Sequence, residues 1–195
     1  SHTKTQNMGT ISNNGSMKIN PGPLEGSWLL TTMVHADSRG QFVESFQKNV
    51  FAKQTGLSID FIQDNEVVSK HGVVRGLHLQ KAPHAQAKLI RVVQGQIYDV
   101  AVDLRADSST YGEWFGVELS ADSQTQLFLP KGFAHGYSVV SEKAIVQYKV
   151  DAPYNPQAES GIRFDDPDLG IDWQVDSTKL SDKDQKLPFL KQLNP

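Results

Sequence analysis

The chain has 195 residues, 38% hydrophobic and 21% charged, with a formal net charge of −3 and no cysteine. Such a chain is long and apolar enough for one globular domain with its own core. Its charge offers no broad cationic field for nucleic acid, though a few local Arg and Lys residues could hold an anionic small molecule. Lack of cysteine excludes a disulfide framework, a thiolate nucleophile and a cysteine-built zinc site, and fits a reducing compartment. No run approaches the ~18 apolar residues of a membrane span.

Residues 1–16 are polar, begin with serine and contain no apolar signal-peptide core. They read as an extension, partly non-native, ahead of a single domain over 17–195. A helix is predicted over Gln47–Thr55, with Gly56 as its stop. Short strands are predicted over Val74–Gln80, over Val92–Leu104 with a turn or bulge at Gly95, and over Trp114–Leu119. Others are predicted over Gln126–Leu129, Gly136–Val140 and Ala144–Val150. Ser181 and Asp184 have capping spacing for a short helix over Ser181–Lys186. The more polar tail after Trp173 is expected to wrap the outside or the mouth of the fold. Regularly spaced short strands with polar turns point to an all-β sandwich or barrel.

Alternation along a strand says which side chains share a face. Strict alternation puts His78 with Val74, Gly76 and Gln80, Lys88 with Ile90 and Val92, and Tyr148 with Ala144, Val146 and Val150. Asp99 falls with Ile97, Ala101 and Asp103. Each polar group is then set in an apolar or small-residue face, as in a barrel interior with a few convergent polar groups. A lone strand histidine is more often structural than catalytic, but His78 has Arg75, Gln80 and Lys88 around it. His135, in the turn-to-strand segment Pro130–Gly136, reads on its own as a packed residue.

Taken in order, these segments resemble the dTDP-4-dehydrorhamnose 3,5-epimerase family from about Gly26 onward. The likeness rests on Asp37-Ser38-Arg39-Gly40 with Glu44, Gln63-Asp64-Asn65, Arg75-Gly76-Leu77-His78-Leu79-Gln80 and Lys88-Leu89. It continues through Asp99 to Arg105, Pro130 to Gly136, Tyr148-Lys149, Tyr154-Asn155-Pro156, Glu159 and Asp166 to Trp173. The resemblance implies a cupin-type double-stranded β-helix, a jelly-roll barrel with short flanking helices, working as a cytoplasmic homodimer. The implied reaction inverts C3 and C5 of a dTDP-4-keto-6-deoxyhexose, needs no cofactor or metal, and belongs to L-rhamnose biosynthesis.

Both carbons flank the ketone, so loss of either proton gives an enolate. The resemblance makes His78 the base, and an imidazole pKa of ~6.5 suits that task. It gives His78 an acidic partner in Asp184, with Asp182 as the other candidate. Lys88 falls beside the C4 oxygen, where a fixed cation stabilises enolate charge. Tyr148 is the implied acid on the opposite face. Arg75 and Arg39 match diphosphate-binding positions, where guanidinium geometry helps. Glu44, Gln63, Asn65, His135, Tyr154, Glu159 and Lys183 match other substrate contacts, with Arg39 and Glu44 reaching in from the neighbouring subunit. Asp99 and Asp103 read as organising carboxylates.

Three alternatives stand beside this reading. A metal-dependent cupin fits Pro130-Lys131-Gly132-Phe133-Ala134-His135, but the first motif reads His78-Leu79-Gln80, and an amide is a poor substitute for an imidazole ligand. A non-catalytic sugar-binding barrel needs no His, Lys and Tyr set. A C3-only epimerase of another deoxysugar could use the same base and acid.

Overall fold

The computed structural model describes residues 17–193 apart from Ser177; the 1–16 extension lies outside the described residues. Strands β1 (Met17–Pro21) and β2 (Trp28–Thr32) lead to a hairpin, β3 (Val34–Asp37) and β4 (Gly40–Val43), then helix α1 (Lys48–Thr55) and β5 (Gln63–Lys70). Next come β6 (Val74–Gln80), β7 (Lys88–Gln94), β8 (Gln96–Asp103), β9 (Trp114–Ser120) and β10 (Thr125–Leu129). The chain ends through β11 (Phe133–Val139), β12 (Lys143–Val150), β13 (Glu159–Gly161) and α2 (Asp182–Gln185). One antiparallel sheet runs β1-β2-β10-β7-β12-β5 and the other β13-β6-β11-β8-β9. This is the all-β jelly-roll arrangement expected of the resemblance.

Local chemistry explains the element ends. The Gln47 side chain accepts a hydrogen bond from Val50 N–H at 3.0 Å and caps α1. Gly56, at φ 76°, closes the helix in the left-handed conformation that glycine adopts without strain. Gly95 turns β7 into β8 at φ 83°, so the predicted Val92–Leu104 run is two strands. No strand is predicted over β1 to β5; Met17-Lys18-Ile19-Asn20 of β1 does alternate, whereas β5 has the polar Gln63, Asn65 and Ser69 among its inward residues and loses its apolar period.

Two sheet faces and two outer coverings give three apolar clusters. The barrel interior joins Ile90, Val92, Ile97, Ala101, Leu127, Phe133, Ala144 and Val146. Outside the five-stranded sheet, the C-terminal tail packs Leu180, Leu190 and Trp173 against Val74, Leu77 and Val100. Outside the six-stranded sheet, Phe51 of α1 meets Phe128 with ring centroids 5.1 Å apart. The tail thus wraps the barrel, as expected.

The expected face of His78 needs correction. In the β6–β11 ladder His78 pairs with His135 but Arg75 pairs with Tyr137, so three steps on β6 oppose two on β11. This bulge resets the alternation. His78 therefore shares the inner face with Arg75, while Val74 and Leu77 turn outward beneath the tail. Close approach here requires two glycines. A Cβ at Gly76 would lie 2.6 Å from Gly136 Cα, and one at Gly136 would lie 2.5 Å from Arg75 O. Gly136→Ala is expected to lower stability by about 1–3 kcal/mol through overpacking. Urea unfolding checks this, and an unchanged midpoint would contradict the account of the bulge.

Candidate active site

A pocket of ≈ 240 Å³ opens between the sheets and is lined by His78, Lys88, Asn65, Tyr148, Tyr154 and Glu159, with Gln63, Leu79, Gln80 and Gln86 at its sides. β6 supplies His78, β7 Lys88, β12 Tyr148, and edge strands β5 and β13 supply Asn65 and Glu159. Tyr148 lies directly across the ladder from Ile90 on one side and Asn65 on the other. Gln63 donates to Asn65 Oδ1 at 3.0 Å, holding that amide in place.

His78 Nε2 lies 2.6 Å from Asp184 Oδ1, although 106 residues separate them in the chain. Asp184 Oδ2 accepts from Gly76 N–H at 3.0 Å, the group at the bulge. Burial pushes the Asp184 carboxyl up, yet the bonds from His78 and Gly76 N–H and the charges of His78 and Lys183 outweigh it, so its pKa is lowered. A carboxylate that stays ionised makes Nε2 the protonated ring nitrogen and leaves Nδ1 as the acceptor. Asp182, the other candidate, is exposed at the start of α2.

Lys88 is 8% exposed, and burial pulls its pKa down to about 8 despite the attraction of Asp99 and Glu159. Burial acts oppositely on a phenol: it raises the Tyr148 pKa, with the Asn65 side chain and Arg75 charge offsetting part of the rise. Tyr148 is therefore a proton donor at neutral pH. Glu159 accepts from Tyr154 Oη at 3.0 Å and from Lys183, and these bonds outweigh burial and lower its pKa.

His135 lies beneath this layer, opposite His78 in the ladder, with Nε2 2.5 Å from Asp99 Oδ1. Asp103 is committed elsewhere, to Arg105, Ser108 and Thr110. Gln80 is also fully occupied: it donates to His84 O and Pro153 O and accepts from Asn155 N–H. Arg75 Nε donates to Ser69 Oγ at 2.9 Å. Arg39 is outside the pocket, on the exposed β3–β4 hairpin, in a 2.6 Å ion pair with Asp37. Glu44 follows that hairpin and does not line the pocket. Sequence reasoning missed Gln86, which lines the pocket but stands in no recognisable motif.

The two-sheet barrel with polar side chains converging on its inner face is a cupin-type jelly roll. The chain belongs to the dTDP-4-dehydrorhamnose 3,5-epimerase family, whose model matches residues 21–192. It is 47% identical over 175 residues to the dTDP-4-dehydrorhamnose 3,5-epimerase of Methanothermobacter thermautotrophicus, covering 88% of this chain and 93% of that protein. The crystal structure of the Elizabethkingia anophelis dTDP-4-dehydrorhamnose 3,5-epimerase superimposes with a TM-score of 0.88 at 45% identity, covering 93% of this chain and all of that one (100%). A Legionella pneumophila dTDP-6-deoxy-D-glucose-3,5-epimerase, solved with dTDP-4-keto-L-rhamnose, gives 0.88 at 39% identity, covering 91% and 95%.

The buried ammonium has a measurable consequence. Below pH ~8 Lys88 is protonated in both folded and unfolded chains, and its burial cost is present in full. Between about 8 and the ordinary 10.5 the unfolded chain holds more protons, so this group makes stability rise with pH. Lys88→Met is expected to remove that slope and to add up to roughly 3 kcal/mol at pH 7. Urea unfolding at pH 7 and pH 9.5 measures both, and a less stable variant would contradict the burial cost.

Proposed function

We propose that this protein inverts C3 and C5 of dTDP-4-keto-6-deoxy-D-glucose to give dTDP-4-keto-L-rhamnose. The observation that carries the reading is one pocket holding a carboxylate-backed imidazole, a buried ammonium and a protonated phenol. His78 Nδ1 takes the proton from the carbon beside the ketone, and Asp184 stabilises the imidazolium that forms. The C–H electron pair moves into the enolate, whose C4 oxygen Lys88 stabilises from a site of low dielectric. Tyr148 delivers its phenolic proton to the carbon from the other face. Exchange of both groups with solvent then restores imidazole and phenol, so no net proton is consumed.

The rest of the site serves recognition. Arg75 grips the diphosphate, Gln63 and Asn65 meet the sugar or base edges, and Tyr154, braced by Glu159 and Lys183, stacks on the thymine. His135, fixed by Asp99, supports the sugar from below. The unit that does this is the single domain beginning at residue 17, and it acts as a homodimer. Supporting the dimer, the whole β3 strand and most of β4 are exposed, with Phe42 66% accessible, and the hairpin carries Arg39 away from its own pocket. In the dimer Arg39 and Glu44 complete the neighbour's site.

The test is deuterium uptake from heavy water into dTDP-4-keto-6-deoxy-D-glucose, read carbon by carbon. Label at C3 and C5 is expected; label at C3 alone would overturn double inversion, and none with folded protein would reject the epimerase. His78→Ala is expected to abolish uptake at both carbons, whereas Tyr148→Phe should slow inversion more than uptake. Asp184→Asn is expected to lower kcat by about 10²–10⁴-fold, with Asp182→Asn near wild type. The rate should also fall as pH rises through about 8, where Lys88 loses its charge; a flat profile to pH 10 would remove Lys88 from its role.

A further inference from the structure

Three of the chain's five arginines are held by ion pairs. Arg39 pairs with Asp37, Arg105 with Asp103, and Arg163 with Asp165, each an aspartate two positions away. Arg91 and Arg75 both depart from this pattern, Arg91 with its Nε buried and without a hydrogen-bond partner among the described residues, Arg75 with a neutral anchor. Arg75 Nε donates to a hydroxyl, Ser69 Oγ, at 2.9 Å, and Arg75 takes part in no ion pair among the described residues. Its guanidinium is thus fixed but not neutralised.

The bond also spans the fold. Arg75 stands on β6 of the five-stranded sheet, and Ser69 on β5 at the edge of the six-stranded one. Ser69 is 5% exposed, so its oxygen is a buried acceptor, while Arg75 itself is exposed. A guanidinium has five N–H donors in a rigid fork. Tying Nε inward leaves the two terminal nitrogens directed away from Ser69, as a pair suited to two phosphate oxygens. The buried Tyr137 hydroxyl lies beside Ser69 without the alignment of a full hydrogen bond, so Arg75 has the stronger claim on that oxygen.

We propose that Ser69 is a positioning residue for substrate binding: it anchors Arg75 across the two sheets while leaving its positive charge free for the diphosphate. The inference rests on the reading of Arg75 as the diphosphate-binding arginine. An aspartate at this place would hold the side chain equally well but cancel the charge that the ligand needs.

Calorimetric titration of the intact protein with dTDP and with thymidine tests this. Ser69→Ala is expected to weaken dTDP binding about five- to tenfold, the worth of one ordinary net hydrogen bond. Thymidine affinity and kcat should stay unchanged while KM rises. Ser69→Thr, which keeps the oxygen, should restore dTDP affinity, and thermal melts of both variants report that they are folded. Equal weakening of dTDP and thymidine, or equal loss in the Ala and Thr variants, would overturn the proposal. Arg75→Lys separates the two levels. If it weakens dTDP binding while Ser69→Ala does not, the anchor falls and the diphosphate reading stands. If it leaves dTDP binding unchanged, the diphosphate reading falls and the anchor with it.

Discussion

The site depends on one carboxylate that accepts two hydrogen bonds. Asp184 receives Gly76 N–H on one oxygen and faces His78 Nε2 with the other, so a backbone group and a side chain of the same strand fix it together. The bulge in β6 makes this possible by placing Gly76 N–H at the carboxylate and His78 on the inner face. Space for the bulge comes from Gly76 and Gly136, where neither residue can carry a Cβ without meeting the opposite backbone. The tail that brings Asp184 is fastened along the same strand. Lys179 exchanges backbone hydrogen bonds with Gly72 and Val74, and Ser181 caps α2 through Asp184 N–H. Disturbing the bulge therefore disturbs the imidazole.

Burial sets the other two groups by opposite effects of one cause. Removing water disfavours charge, so the Lys88 ammonium becomes easier to deprotonate and the Tyr148 phenol harder. Asp99 and Glu159 oppose that shift and help keep the lysine cationic at neutral pH. Its own stability cost is the ordinary consequence of keeping a charge in a buried site. Asp99 is held in turn by His135, so the lower layer of the pocket supports the upper one.

Much of this was legible in the residues and some was not. Helix α1 and strands β6 to β12 were readable because Gly56, Gly95 and the apolar alternation mark them. β5 escaped because its inward residues Gln63, Asn65 and Ser69 face a pocket or an arginine, so no hydrophobic period survives. The bulge escaped because alternation assumes an unbroken ladder; Gly76 and Gly136 were visible, but their close approach depends on two strands meeting. His78, Lys88 and Tyr148 could be picked out from ordered family motifs. The choice between Asp184 and Asp182 needed the fold, since only α2 in place turns one inward. Ser69 had no motif at all.

The central claim is that Asp184 holds the His78 imidazole in one tautomer, ready to accept a proton at Nδ1. Nitrogen-15 NMR of the ring, read at a pH where the imidazole is neutral, tests it directly. The proton is expected on Nε2, with its signal lost or exchanged to the other nitrogen in Asp184→Asn. A proton on Nδ1 in the wild-type protein would contradict it.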